Sequence, residues 1–407
     1  MSTELFSLGE LYVSDFLRRE EKPRNEPVEL KLIMDGAGFV RLDKQAPLDS
    51  MWGKYWYRSG INTTMKAELG NIVGEIQQIY KLKENDVWLD IASNDGTLLS
   101  FIPKTIIRVG IDPAEDSFRI EAERHSNLII QDYFSEEIYN KSGFTKPKVI
   151  TSIAMFYDVV DPDTFIDSIY NILDDNGVWV LQLSYTPLML KQLAFDNICH
   201  EHFYYYNLLN MQELMERHGM NIIDCQINDV NGGSFRIYVM KSASDKSKFG
   251  TQPYRDVCKY RVDSILRFEK SQKLDGPLPW QQFYGRLQSL KAEVVSFIKT
   301  QKMEGRSIWA YGASTKGNTL LQYFGLDKQF IDGIAERSIH KWGLRTVGTD
   351  IPIYSEAAMR EVKPDFLLVL PWHFINEFQE REIDYLRQGG TFIVPCPKFK
   401  LITYKDV

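Results

Sequence analysis

The chain has 407 residues, enough for two or three domains at roughly 150 residues each. Apolar residues at 44%, aromatics at 13% and charged residues at 25% supply ample cores and exclude a disordered or low-complexity chain. A net charge of −7 argues against the basic footprint of a nucleic-acid binder.

No apolar run reaches the ~18 residues of a spanning helix, so no membrane segment is expected. MSTELFSLGE has neither the basic start nor the apolar stretch of a signal peptide, and a cytoplasmic location is expected. Cys199, Cys225, Cys258 and Cys396 lie far apart without C-x-x-C spacing, which disfavours a disulfide scaffold or a cysteine zinc site.

Residues 1–70 read as a small N-terminal lobe. Glu29–Met34 is a strand, Asp35–Gly38 a turn, and Phe39–Leu42 the returning strand of a hairpin. Apolar residues from Met65 to Tyr80 fall at helical spacing. Strands then alternate with helix-length stretches over 71–245: Val87–Ile91, Ile107–Ile111, Leu128–Ile130, Val149–Ile153 and Gly177–Leu183, followed by a strand pair at Ile222–Gln226 and Ser234–Met240. That alternation implies βαβ units and a mostly parallel sheet. Polar, helix-rich sequence over 246–303 reads as a connector, broken at Gly276–Pro279. A second α/β unit fills 304–407, with strands at Ser307–Tyr311, Phe330–Ile334, Phe366–Leu370 and Thr391–Pro395. The fold class is α/β, with two nucleotide-fold-like units in tandem.

Three stretches carry chemistry. The first, Asp90-Ile91-Ala92-Ser93-Asn94-Asp95-Gly96-Thr97, closes a buried strand and opens a helix, where open parallel sheets bind ligands. The next strand ends in Asp112, whose carboxylate can accept from two ribose hydroxyls, and the third ends at Asp132, which could accept from an adenine amino group. No G-x-G-x-x-G is present, and Asp95 would repel a pyrophosphate, so S-adenosylmethionine fits better than NAD. The plainer alternative is that Asp90 and Asp112 only cap helices. The second stretch runs from Asp196 to Tyr206 and includes His200-Glu201-His202. H-x-H can bind metal, yet H-E-x-x-H spacing is absent, and acid–base work is the other reading. The third, Tyr311–Thr319, is a small-residue turn before a helix. Lys316 there adds charge for an anion, or the turn serves packing alone.

Together these stretches resemble the sugar C-methyltransferases that act on nucleotide-linked 4-keto-6-deoxyhexoses. Family members carry E-I-G-S-N-D-G, F-D-x-I-Y-H-E-H, H-G-G-S-L-R and Y-G-A-x-x-K-G-N-T-L-L. These are similar to residues 90–96, 195–202, 231–236 and 311–321 here, and two later proline-containing segments match 368–374 and 392–397. The likeness spans nearly the whole chain. It implies a class I methyltransferase Rossmann-like core, an N-terminal lobe and a second Rossmann-like domain for the substrate nucleotide. In the family that lobe binds zinc through paired cysteines. Here Met34 and Ala37 fall on the second pair and the first has no counterpart, so no zinc is expected. The hairpin and aromatics such as Trp52, Tyr55 and Trp56 are expected to hold the lobe instead. Ala92 replaces the first glycine of the cofactor loop, and Cys199 replaces the tyrosine before H-E-H.

The resemblance implies methyl transfer from S-adenosylmethionine to a sugar carbon beside a ketone. A carbon without a lone pair becomes nucleophilic only by losing an α-proton, and the resulting enolate needs a base and oxygen-directed donors. The expected base is His202, oriented by Glu201, with His200 and Tyr57 as donors or sugar contacts and Ser59 beside the substrate. Asp90, Ala92, Asn94, Asp95, Gly96, Asp112 and Asp132 are expected around the cofactor. Lys316, Asn318 and Arg345 are expected on the nucleotide phosphates. The rivals are a nucleotide-sugar-binding homologue that lost catalysis, an O- or N-methyltransferase of another small substrate and, furthest off, an NAD-dependent oxidoreductase. Oligomeric state is left open.

Overall fold

A computed structural model describes residues 2–47, 51 and 56–407; Trp52 and Tyr55 lie outside the described residues. The chain forms two compact units, each made from separate stretches of sequence. One comprises 1–51, 188–202 and 276–407, and the other 52–187 and 203–275.

The first unit begins with β1 (Thr3–Leu11), β2 (Phe16–Leu17), β3 (Val28–Met34) and β4 (Val40–Leu42). β3 pairs antiparallel with both β1 and β4. The expected hairpin is present, and no thiol closes it. Asp35 Oδ1 accepts from the Ala37 and Phe39 amides at 2.9 and 3.0 Å, folding the turn as an Asx motif. Phe6 stacks on Tyr284 at 4.7 Å, so β1 is fastened to the helix Leu278–Met303 of the same unit.

The second unit holds β5 (Val87–Ile91), β6 (Ile107–Ile111), β7 (Leu128–Ile130), β8 (Val149–Ile153), β9 (Val178–Ser184), β10 (Tyr204–Tyr205), β11 (Met220–Asn228) and β12 (Ser234–Lys241). Seven of these form a sheet in the order β11-β12-β9-β8-β5-β6-β7. β5 to β9 run parallel, and the β11–β12 pair is added antiparallel beside β9. β5 is buried along its whole length, as a central parallel strand must be. After β7 the chain returns to the other side of β5, which makes the carboxyl ends of β5 and β8 the switch point where such sheets bind ligands. The helix Thr63–Ile79 buries Leu69, Ile72, Val73 and Ile76 against Trp88, Val149 and Val178. Arg236 of β12 fixes that helix through Glu68 and Glu75, at 2.7 and 2.5 Å.

The first unit resumes with β13 (Ile308–Tyr311), β14 (Gly333–Glu336), β15 (Arg345–Thr346), β16 (Ile353–Ser355), β17 (Phe366–Val369), β18 (Thr391–Val394) and β19 (Lys400–Ile402). Its six-stranded sheet has the order β16-β14-β13-β17-β18-β19, parallel except for β19. β14 starts three residues later than the expected Phe330, because the Phe330 and Ile331 amides still donate to the Asp327 carbonyl in a turn.

The expected boundaries after residues 70, 245 and 303 differ from this division. Residues 246–303 do not form one connector: the helix Gln252–Gln272 belongs to the second unit and Leu278–Met303 to the first. More consequentially, Leu188–His202 leaves the methyltransferase sequence and packs in the first unit. Phe195 stacks on Phe324 at 5.2 Å, Leu190 O accepts from Arg286, and Leu193 O accepts from the Cys396 thiol. No helix among the described residues is long and apolar enough to cross a membrane.

Candidate functional site

In the second unit, Asp90, Asp112 and Asp132 follow one another at the carboxyl ends of the adjacent strands β5, β6 and β7. The loop after β5 needs unusual backbone. Ala92 and Asn94 take φ of 57° and 52°, a left-handed conformation that L-residues adopt only when their surroundings enforce it. Gly96 has φ of 74°, and a Cβ there would stand 2.6 Å from Ala122 Cα, so this position tolerates only glycine.

Asp112 shapes that loop. Its two oxygens accept from the amides of Asn94 and Ala114, each at 2.7 Å. Asp90 is buried, and its Oδ1 accepts from Thr151 Oγ1 at 2.6 Å, while Thr151 in turn accepts from Trp88 Nε1. Burial, helped by the neighbouring Asp112, pushes the Asp90 carboxyl up to about 7 despite the Thr151 bond. Burial also raises Asp112. Two desolvated carboxyls side by side therefore resist ionisation, and a cation brought beside them would favour their charged forms. Ser93 Oγ in the same loop is buried without a hydrogen-bond partner. A cationic ligand with hydroxyls and amines would satisfy both features, and S-adenosylmethionine has that chemistry.

The other expected cofactor residues have partners of a different kind. Asn94 Oδ1 accepts from Ser59 N at 3.0 Å, its Nδ2 donates to Tyr57 O at 3.0 Å, and Asp95 Oδ2 accepts from Gly60 N at 2.8 Å. Asn94 and Asp95 thus tie residues 57–60 to the cofactor loop. Arg58 anchors the same segment through Glu121, Ser117 and the face of Phe118. Burial and Asp95 hold the Tyr57 hydroxyl above its ordinary range, so it stays a neutral donor. Asp132 Oδ1 accepts from the Tyr133 amide.

The H-E-H stretch lies in the first unit. His202 is buried, and its imidazole hydrogen-bonds the Asn197 carbonyl. That bond commits one ring nitrogen to carrying the proton and leaves the other with its lone pair. Burial, and next the charge of Lys316, drive its pKa well below the ordinary value, so the ring stays neutral. Glu201, expected as the orienting partner, has a side-chain contact of its own. Its carboxylate takes a hydrogen bond from the Cys199 side chain, and its Oε2 is buried without any partner. His200 points elsewhere: its Nε2 meets the Val28 carbonyl at 3.0 Å and joins the loop to β3.

Lys316 is brought to this loop as well. Its Nζ donates to Asn197 Oδ1 at 2.5 Å. Asp196 beside it accepts from Trp372 Nε1 at 3.2 Å. Burial, followed by the Lys316 charge, lowers His373 to about 3. Asn318 is buried, with Nδ2 on the Asp15 carbonyl at 3.1 Å. Arg345 pairs with Asp350 at 2.8 Å and donates to Glu21 O at 2.7 Å. Each residue expected on phosphate therefore has a protein partner. Asp196 and Asn197 open the second candidate stretch, whereas Trp372 and His373, which lie in a matched segment and are brought beside it here, had no part assigned.

Residues 64–224 match the family described as methyltransferase domain, and residues 229–397 match the C-methyltransferase C-terminal domain. The C-methyltransferase NovU of Streptomyces niveus is 26% identical over 359 residues, covering 87% of this chain and 83% of NovU. Among solved structures, a chain from the complex of the Haloferax volcanii Trm112 methyltransferase activator with a methyltransferase has 14% identity and a TM-score of 0.37, covering 45% of this chain and 94% of its own. An S-adenosylmethionine-dependent methyltransferase of Clostridium acetobutylicum has 14% identity and a TM-score of 0.33, covering 43% and 90%. From the two family matches and NovU, the chain is an S-adenosylmethionine-dependent methyltransferase whose C-terminal part matches the C-methyltransferase C-terminal domain.

Proposed function

We propose that the protein methylates a carbon next to the ketone of a nucleotide-linked 4-keto-deoxysugar, by way of an enolate. The observation that carries this reading is the state of His202: buried, held neutral, and with its imidazole on the Asn197 carbonyl. Methyl transfer to oxygen or nitrogen uses a lone pair already present. Transfer to carbon needs a base to create one.

The unprotonated nitrogen of the neutral His202 takes the α-proton, and the electrons of that C–H bond move to the carbonyl oxygen. Tyr57, kept neutral, is available as a donor to the enolate oxygen. When bound, S-adenosylmethionine supplies an electrophilic methyl group. Asp90 and Asp112, whose charged forms burial disfavours, would be helped to ionise by its positive charge. The nucleotide is assigned to the first unit. Arg345, whose guanidinium stays partly accessible, is its strongest phosphate contact there. A cytoplasmic location accords with a substrate made from soluble nucleotide sugars.

The test is product analysis after incubation with methyl-labelled S-adenosylmethionine and a panel of 4-keto nucleotide sugars. A new label on a ring carbon next to the ketone supports the reading. Label on oxygen or nitrogen, or binding without turnover across the panel, rejects it.

A further inference from the structure

We propose that Lys316 is a positioning residue for the proton-abstracting loop, holding Asn197 and through it the orientation and charge of His202, rather than a contact to substrate phosphate. The proposal rests on the reading of His202 as the base.

The geometry runs through one side chain. The Lys316 ammonium donates to Asn197 Oδ1 at 2.5 Å, and Asn197 Nδ2 donates to Ala194 O at 3.1 Å. The amide is thus held at both ends, in a short 3-10 turn spanning Phe195–Asn197. The carbonyl of this same residue receives the His202 imidazole. Turning Asn197 would move the acceptor that selects the His202 tautomer.

Charge points the same way. Asp196 Oδ1 and Glu201 Oε2 are buried oxygens without hydrogen-bond partners. Carboxylates with one oxygen left unpartnered in such a place are stabilised by a nearby cation. The groups facing Lys316 are Asp196, Cys199, Glu201 and His202 from the loop and His373 from the segment after β17. The ammonium favours the ionised form of the two acids and the neutral form of the two histidines. His200 stands apart on Val28. A lysine that only awaited a phosphate would not have its shortest bond to a buried amide.

The experiment compares wild type, Lys316→Met and Lys316→Arg in the full-length protein. Nitrogen NMR on histidine-labelled protein, with His202→Asn identifying the resonance, reads the His202 tautomer without any substrate. One fixed tautomer is expected in wild type and Lys316→Arg, and a mixture with an upward-shifted titration in Lys316→Met. With a turned-over sugar, Lys316→Met should lose on the order of 10²-fold in kcat through loop misplacement. The acidic limb of its pH–rate profile should move to higher pH, since a cation that favours neutral His202 is gone. Affinity for the nucleoside diphosphate should stay within about twofold. An unchanged tautomer and kcat with diphosphate binding weakened tenfold or more would overturn the proposal. Absence of carbon methylation by the wild type would instead remove the reading of function, while the NMR result still decides the role of Lys316.

Discussion

Replacing Asp90 with Asn should make the second unit more stable above neutral pH and remove a pH dependence from cofactor binding. Asp90 is 3% exposed, and burial lifts its carboxyl from 3.8 to about 7. A carboxyl raised in this way gives stability fully present below pH 3.8, which is lost as pH rises through 7, where the buried group must ionise. The difference of about three pH units corresponds to roughly 4 kcal/mol at most. For a unit of about 200 residues that is on the order of 10 °C in Tm. Asn keeps an oxygen for the Thr151 hydroxyl, so the variant loses the titration and little of the packing. Thermal unfolding of both proteins from pH 5 to 9 isolates Asp90 as the difference between the curves. Cationic S-adenosylmethionine prefers the ionised form, so wild-type affinity should rise with pH through 7, and the slope should be absent in the variant. Parallel stability curves for the two proteins would refute the reasoning.

Asp112→Ala strips the acceptor from the Asn94 and Ala114 amides, and calorimetry should show S-adenosylhomocysteine binding weakened at least about tenfold, at 1–3 kcal/mol per buried group left unpaired. Unchanged affinity would reject its role. Arg236→Met leaves Glu68 and Glu75 facing each other and should cost about 3–5 kcal/mol in denaturant unfolding, with Glu68→Gln and Glu75→Gln recovering part of it. His218 lies between Asp163 and Asp167 at 2.8 and 2.7 Å. Burial opposes its charge, but the two carboxylates outweigh it and raise its pKa. Its contribution, about 1 kcal/mol after solvent screening, should therefore be complete below pH 6.5 and fade as pH climbs above it, a difference that His218→Gln abolishes.

The sequence carried the parallel strands clearly. β5, β6, β7 and β8 fall on their expected residues, because a strand buried on both faces is a short apolar run bounded by polar turns. β1, with Gly9 and four acidic or hydroxyl positions in its length, has no such run, and the pattern does not announce it. The carboxylates at successive strand ends were legible because strand ends are local. The surroundings of His202 were not, since Asn197 and Lys316 are 119 positions apart and only tertiary packing joins them. The His202 imidazole also meets a backbone carbonyl five residues earlier, a contact that no pattern of side chains announces.

The central claim is that this methyltransferase makes a carbon nucleophilic with His202. It is tested most directly by exchange of the α-hydrogen of a 4-keto nucleotide sugar in deuterated water, with S-adenosylhomocysteine in place of the methyl donor. The wild type should exchange that hydrogen without methylation. His202→Asn should lose exchange and methylation together by about 10²–10⁴-fold while still binding S-adenosylhomocysteine. A His202→Asn protein that exchanges and methylates at near wild-type rate would contradict the account.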